Sequence, residues 1–437
     1  MSRLRILVLA PDCNPDSICG PLLSYSQAEA LAQLHDVTLA MRSPGEPAVR
    51  RRQPPFKAVE VIRLPWLERI YAWCLHWIFK DNFHNQILTA FGYPFSIAFE
   101  WKVWRDFKNR ILAGEFDVVL RLLPVTAVLP SPLAFLLRKG PVAFVIGPIN
   151  GGLPFPEGFS QAGNQKQWVS GFRNLYRILP FARSTYRDAT AIIAGSSQTS
   201  AEFSRYRDKL FFLPENGVGP SLFSTSLRRP DPTAKLEMIF VGALIPCKAC
   251  DLALRAASTL LQKGQAHFTI VGDGPERGRL EQLARELEIE KAISFCGFLS
   301  HPETMQRMQS ADVLVFPSVR EFGGAVVFEA LAAGAVPIVA DFGGPGDIVY
   351  PEVGYKVSLT NENDLVVQME RILAELANDR DLLERLQQQG VKYAQEQLSW
   401  DAKARTVTRI LQWATRQGPK PDLPPPKMLC LKSVSQS

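Results

Sequence analysis

The residues best suited to chemistry fall in one stretch, 316–349 (FPSVREFGGAVVFEALAAGAVPIVADFGGPGDIV). An apolar run ends at Phe316, a loop carries Glu321 and then Phe322-Gly323-Gly324, and a helical pattern begins near Ala325. Glycines at a helix start let a ligand reach exposed N–H groups, and the helix dipole favours negative charge there. The pattern suits a phosphate or sugar hydroxyls. Glu329 is the only charged residue between Phe322 and Ala340. A helix that apolar is largely buried, and a lone carboxylate in it needs a partner. Two partners fit equally. One is a ribose diol, whose hydroxyls can both donate to one carboxylate. The other is an arginine across a domain interface.

Glu321 and Glu329 form a Glu-x7-Glu spacing. It resembles the signature of the retaining family 4 glycosyltransferases (glycosyl transferases group 1) of GT-B fold. Other segments are similar to that family in the same order along the chain. They are GSSQTSAEF at 195–203, LPENGVGPSLF at 213–223, FVGALIPCKACDLALRA at 240–256, IVGDGPERGRLE at 270–281, SFCGFLSHPE at 294–303 and GGPGDIV at 343–349. The resemblance runs from about residue 190 to 415 and is weaker before that.

The resemblance implies roles residue by residue. Glu321 would contact the donor sugar, the amides of Phe322, Gly323 and Gly324 the sugar and phosphates, Glu329 the nucleotide ribose, and Lys248 the diphosphate. Gly20, in the loop 11–22, would take the diphosphate contact that the family makes with a Gly-Gly pair. Two departures stand out. Ala243 occupies the place of an arginine that usually helps neutralise the diphosphate, five residues before Lys248. The family's histidine after a first-domain strand is replaced by Gly147-Pro148-Ile149-Asn150-Gly151-Gly152, a recurring form in which Asn150 and Gly151 would face the sugar or acceptor.

Other motifs carry less. Gly272-Asp273-Gly274 with Gly278 has the wrong spacing for a dinucleotide fingerprint and reads as a turn between strand and helix. Cys247 and Cys250 lack the further ligands that zinc requires. The five histidines show no metal spacing, and His301 reads as a surface residue after a turn. The run Arg50–Arg52 reads as a solvated face, with an anionic-lipid contact as its minority reading.

These residues must be held by two successive α/β domains. Apolar runs at 4–10, 37–41, 59–64, 117–121, 142–146, 189–194 and 209–213 alternate with helical patterns, then again at 236–241, 267–271, 293–296, 313–316 and 336–340. Strands separated by helices imply right-handed crossovers and parallel sheets. The expected architecture is two Rossmann-like doubly wound domains facing a central cleft. Residues 1–225 form the acceptor-side domain, 226–234 (within SLRRPDPTA) the linker, and 235–398 the nucleotide-sugar domain. Helical stretches follow at about 363–378 and 382–397. A helix at 399–417 resembles the family's crossover back to the first domain, and 418–437, with five prolines, is an aperiodic tail expected to be disordered. Residues 65–107 break the rhythm with Trp66, Trp73, Trp77, Trp101 and Trp104 among basic residues. They read either as helices packed on the first sheet or as an interfacial pair that rests on a membrane.

A length of 437 residues allows two domains of about 200 residues each. With 49 basic and 43 acidic residues, net +6, the charge is too mild for nucleic-acid binding but suits an anionic ligand. The apolar run after Arg3 and Arg5 is too short for a leader, and no segment reads as a spanning helix. Seven cysteines without a repeating frame fit reduced thiols in the cytoplasm, with peripheral contact to the inner membrane face as an addition. The expected function is metal-independent, retaining transfer of a sugar from a UDP-, GDP- or ADP-sugar to a glycan, lipid or small-molecule hydroxyl. No cofactor is expected. The alternatives are a non-catalytic scaffold, or an epimerase or phosphorylase on the same fold.

Overall fold

The computed structural model describes residues 3–17, 20–65, 69–70, 92–124, 126, 128–151, 159, 179–223 and 234–424. The chain forms two units. The first comprises Met1–Gly152, Gln167–Glu215 and Lys403–Ser437, the second Leu153–Lys166 and Asn216–Ala402.

In the first unit seven strands are β1 (Arg5–Leu9), β2 (Asp36–Met41), β3 (Ala58–Val61), β4 (Val118–Arg121), β5 (Ala143–Ile149), β6 (Ala191–Ala194) and β7 (Leu210–Phe212). They pair in the order β3-β2-β1-β4-β5-β6-β7, and every pairing is parallel. The second unit has β8 (Leu236–Val241), β9 (Ala266–Val271), β10 (Ile293–Gly297), β11 (Val313–Phe316), β12 (Val336–Ala340) and β13 (Tyr355–Val357). Their order is β10-β9-β8-β11-β12-β13, again all parallel. Central strands such as β5, β11 and β12 are buried along their whole length, because helices cover both faces of a parallel sheet. Twelve of these thirteen strands fall on the apolar runs of the sequence. β13 does not, since it is a three-residue edge strand with Lys356 exposed, too short to show a pattern.

In a doubly wound sheet, ligands bind beyond the carboxyl ends of the strands where the order reverses. That point lies between β1 and β4 in the first sheet and between β8 and β11 in the second.

Of the aromatic stretch, Trp66, Trp73 and Trp77 lie outside the described residues. Trp101 and Trp104 sit on the helix Tyr93–Leu112. One face of this helix buries Phe99, Val103, Phe107 and Ile111. The other leaves Trp101, Arg105 and Lys108 exposed. On the buried face, Glu100 meets Arg121 at the end of β4, with Nε donating to Oε1 at 2.7 Å. Both are almost wholly inaccessible. Ser131 Oγ also donates to Glu100, and Arg121 Nη2 donates to the Leu129 carbonyl at 2.9 Å.

The helix Trp400–Ala414 follows a π-turn at Ala394–Leu398. From Lys403 onward the chain groups with the first unit. Lys403 Nζ donates to the Pro214 carbonyl, and Thr408 Oγ1 lies 2.8 Å from His35 Nε2. The next residues, expected as the start of a disordered tail, are tied to β7: Phe212 N–H donates to the Leu423 carbonyl at 3.0 Å, and Lys420 lies over the rings of Phe211 and Trp413. Of the expected linker, only Ala234 is among the described residues.

The buried Glu100–Arg121 pair generates a stability prediction. Arg121→Leu should destabilise the first unit by about 3–5 kcal/mol, because it strands a buried carboxylate. Replacing both residues with methionine should recover most of that loss. Urea unfolding monitored by far-UV circular dichroism checks both variants, and a single variant as stable as the parent contradicts the account.

Candidate functional site

Two loops meet at the reversal point of the second sheet. The first leaves β8 at Gly242. It is held by the turn after β9: Leu244 N–H donates to the Asp273 carbonyl at 2.9 Å, and Glu276 N–H to the Leu244 carbonyl at 3.1 Å. Gly272 has φ of +137°, and a Cβ there would lie 1.9 Å from the Gly242 carbonyl oxygen. Gly272-Asp273-Gly274 is thus a turn that supports its neighbour. The first loop then forms a 3-10 turn, Pro246–Lys248, and Ala249 in the left-handed region turns it into the helix Cys250–Gln262.

The second loop follows β11. It is stitched to the first through the Cys247 carbonyl, which accepts from Val319 N–H at 3.0 Å and Ser318 Oγ at 3.3 Å. Lys248 Nζ pairs with Glu321 Oε2 and lies 5.1 Å from the Phe316 ring centroid. The other Glu321 oxygen accepts from Gly324 N–H at 3.3 Å. Gly324, at φ +59°, starts the helix Ala325–Ala333, an N-terminus that favours negative charge. Beneath it, the helix Gly343–Ile348 presses its backbone on the loop. Gly344 N–H donates to the Glu321 carbonyl at 3.2 Å, and a Cβ on Gly344 would lie 2.0 Å from the Phe322 carbonyl oxygen.

Glu329 projects from the Ala325–Ala333 helix and is about one-fifth exposed. Its partner is His301, with Nε2 2.9 Å from Oε1. His301 opens the helix His301–Gln309, which Ser300 and Glu303 close with a capping box. The hydrogen bond to Glu329 holds the His301 imidazolium above its usual range, against the effect of burial. His301 is exposed, as the sequence suggests, and is also partnered. Within its own unit and among the described residues, the partner of Glu329 is this histidine.

Ala243 is exposed. Burial raises the Cys247 thiol above its usual range, against the opposing charges of Lys248 and Arg320. A second cation besides Lys248 therefore acts on this turn, and the sequence had not singled out Arg320. Cys247 and Cys250 are free thiols. Among the described residues no three His, Cys, Asp or Glu side chains could hold a metal ion.

Two candidates of the first unit, Asn150 and Gly151, are engaged within it. Asn150, just past β5, donates from Nδ2 to Glu215, and its Oδ1 is buried against Gly195. Gly151 N–H donates to Thr199 Oγ1 at 2.8 Å. Gly20 is the first residue of the helix Gly20–Leu34. A Cβ there would make only an ordinary contact, 3.6 Å from Leu123.

Two Rossmann-like units, each with a doubly wound parallel sheet, define the GT-B class. The chain is similar in fold to Anabaena HepE, solved in complex with UDP, with a TM-score of 0.61 and 16% identity over 94% of this chain and 100% of that one. Residues 228–393 match the family described as Glycosyl transferases group 1. Among curated relatives, an uncharacterized glycosyltransferase of Methanocaldococcus jannaschii is 29% identical over 53% of this chain and 62% of its own length. A GDP-mannose-dependent alpha-(1-6)-phosphatidylinositol monomannoside mannosyltransferase of Mycobacterium tuberculosis is 28% identical over 54% of this chain and 66% of its own. The chain spans less than two thirds of the length of either relative.

The glycine contacts separate two variants. Gly344→Ala should cost about 1–3 kcal/mol, the range for overpacking, because a backbone carbonyl blocks the new methyl. Gly20→Ala should stay within about 0.5 kcal/mol of the parent. Thermal unfolding checks the contrast, and equal midpoints for the two variants would refute the close approach.

Proposed function

We propose that the protein is a glycosyltransferase that moves a sugar from a nucleoside-diphosphate sugar to an acceptor hydroxyl, with retention of configuration and no metal ion. One observation carries this reading. Lys248, Glu321 and the N-terminal amides of the Ala325–Ala333 helix converge, with Glu329 farther along the same helix. A departing nucleoside diphosphate gains negative charge, and a lysine with preorganised amides stabilises it. A diphosphate drawn to Lys248 competes with Glu321 for the ammonium. The carboxylate so released can accept from sugar hydroxyls, so one binding event prepares both groups. Glu329 accepts from the ribose diol. The bond from the anomeric carbon to phosphate breaks as the acceptor oxygen bonds to the same face, and the acceptor proton passes to the leaving phosphate. This step needs no protein nucleophile.

The donor is a UDP-, GDP- or ADP-sugar. HepE, solved with UDP, and the mycobacterial protein, named for GDP-mannose, favour the first two. The latter's lipid acceptor, with the exposed Trp101, Arg105 and Lys108 face of the Tyr93–Leu112 helix, supports an acceptor with an apolar tail, met peripherally at an anionic cytoplasmic membrane face. Among the described residues no helix is long and apolar enough to cross a membrane. Ala243 in place of the family's arginine favours a second reading, a scaffold that binds nucleotide without turnover.

Glu329→Gln should weaken UDP or GDP binding by about 1.5–3 kcal/mol in calorimetry, and unchanged affinity would remove Glu329 from the site. Lys248→Ala should lower kcat far more than thermal stability, because the lysine acts on a charge that grows in the transition state. Transfer that survives EDTA supports metal independence. Nucleotide binding with no transfer to any acceptor selects the scaffold, and release of an epimerised or phosphorolysed sugar selects the remaining alternatives. The protein should sediment with anionic liposomes at low salt and be released as salt screens the charges. Protein left in the supernatant at low salt would exclude the membrane contact.

A further inference from the structure

We propose that His301 is a positioning residue for the nucleotide: its imidazolium fixes and neutralises Glu329, so nucleotide-sugar affinity rises as pH falls through the titration of this histidine. The inference rests on the reading of Glu329 as the ribose acceptor.

The geometry comes first. His301 Nε2 and Glu329 Oε1 are 2.9 Å apart on two adjacent helices of one unit. Glu329 Oε2 takes no hydrogen bond from the described residues. A carboxylate has about four acceptor sites, and the imidazole occupies one, so both ribose hydroxyls can still be seated. The His301 side chain is 57% exposed and Glu329 20%, which lets the histidine exchange protons with solvent while the carboxylate stays sheltered.

The remaining charges near His301 are few. The Ala325–Ala333 helix contributes Glu329 alone. The His301–Gln309 helix carries Glu303, which accepts from the Ser300 amide and hydroxyl, and Arg307. On β8, Glu237 faces His267 at 3.2 Å. Asp312, beyond the helix, accepts from Glu237 N–H and lies 3.6 Å from Arg380. Glu329 is thus the dominant partner, and it holds the imidazolium above its usual range.

Two effects of protonation oppose each other. The imidazolium draws charge from Glu329 and makes it a slightly poorer acceptor. It also cancels the repulsion between that carboxylate and the anionic diphosphate of the same ligand, and it holds the carboxylate in one rotamer. Hydrogen-bond strength changes only locally, whereas charge repulsion falls slowly with distance in a half-buried site, so the second effect wins. Linkage then requires the reverse: bound nucleotide raises the His301 pKa further.

The test uses the full chain with UDP-glucose, GDP-mannose and ADP-glucose, whose diphosphates do not titrate near neutrality. For the sugar nucleotide that binds, affinity should fall about fivefold between roughly pH 5.5 and 8.5, equivalent to about 1 kcal/mol, as the repulsion between Glu329 and the diphosphate returns. His301→Gln keeps a donor and should bind with no pH dependence. His301→Asn, too short to reach, should bind weakly and also flatly. The His301 ring proton, followed by NMR, should titrate higher with nucleotide sugar bound and lower in Glu329→Gln. Parental pH dependence in His301→Gln, or a His301 titration indifferent to ligand, overturns the inference. If Glu329→Gln binds like the parent, or no sugar nucleotide binds, the functional reading falls and takes this inference with it. If Glu329→Gln binds weakly while His301→Gln behaves as the parent, only this inference fails.

Discussion

Backbone packed directly on backbone is the constraint on which the second unit's site depends. Gly344 lies against the Phe322 carbonyl and Gly272 against the Gly242 carbonyl, each too close for a Cβ. These contacts bring four chain segments from three strand ends and one helix start within hydrogen-bonding reach. The turn bearing Lys248 is joined to the loop bearing Glu321 by the Cys247 carbonyl, which accepts from Val319 N–H. Glycine is costly elsewhere because it leaves the unfolded chain freer. Here that cost is offset by a rigid platform on which the first amides of a helix stay open.

The platform holds its charges as acid–base pairs: Lys248 with Glu321 and His301 with Glu329. A half-buried charge without a partner is unfavourable. Each pair satisfies its members while leaving some oxygen or proton capacity in reach of solvent. Such pairs differ from the Glu100–Arg121 pair of the first unit, which is sealed on all sides and can only organise its own core. Depth of burial separates a pair that can exchange partners from one that cannot.

Much of this was legible in the sequence, for reasons that differ by residue. Twelve strands announced themselves as apolar runs, which are continuous where helices bury both faces, as in β4, β11 and β12. The Glu321–Gly324 loop and Glu329 stood out because a carboxylate and paired glycines are conspicuous in so apolar a stretch. The Glu100–Arg121 pair was invisible, since its members lie 21 residues apart in stretches that read only as a basic aromatic helix and a strand end. Asn150 and Gly151 stand out by resemblance alone. No local pattern could reveal that Glu215 and Thr199 engage them.

His301 reads from the sequence only as a surface residue, although topology alone gives it a partner. The order β10-β9-β8-β11-β12-β13 moves one way from β8 to β10 and back the other way from β10 to β12. Right-handed crossovers put helices on opposite faces when the direction of winding reverses. The helix after β10 and the helix after β11 therefore share a face, the one opposite the helices after β8 and β9. A histidine at the start of the first and a glutamate on the second are then neighbours, despite 28 residues between them. The sequence does not supply the strand order. Once the reversal at β8 and β11 is assigned, it brings together the Lys248 and Glu321 loops and also gives Glu329 a basic neighbour.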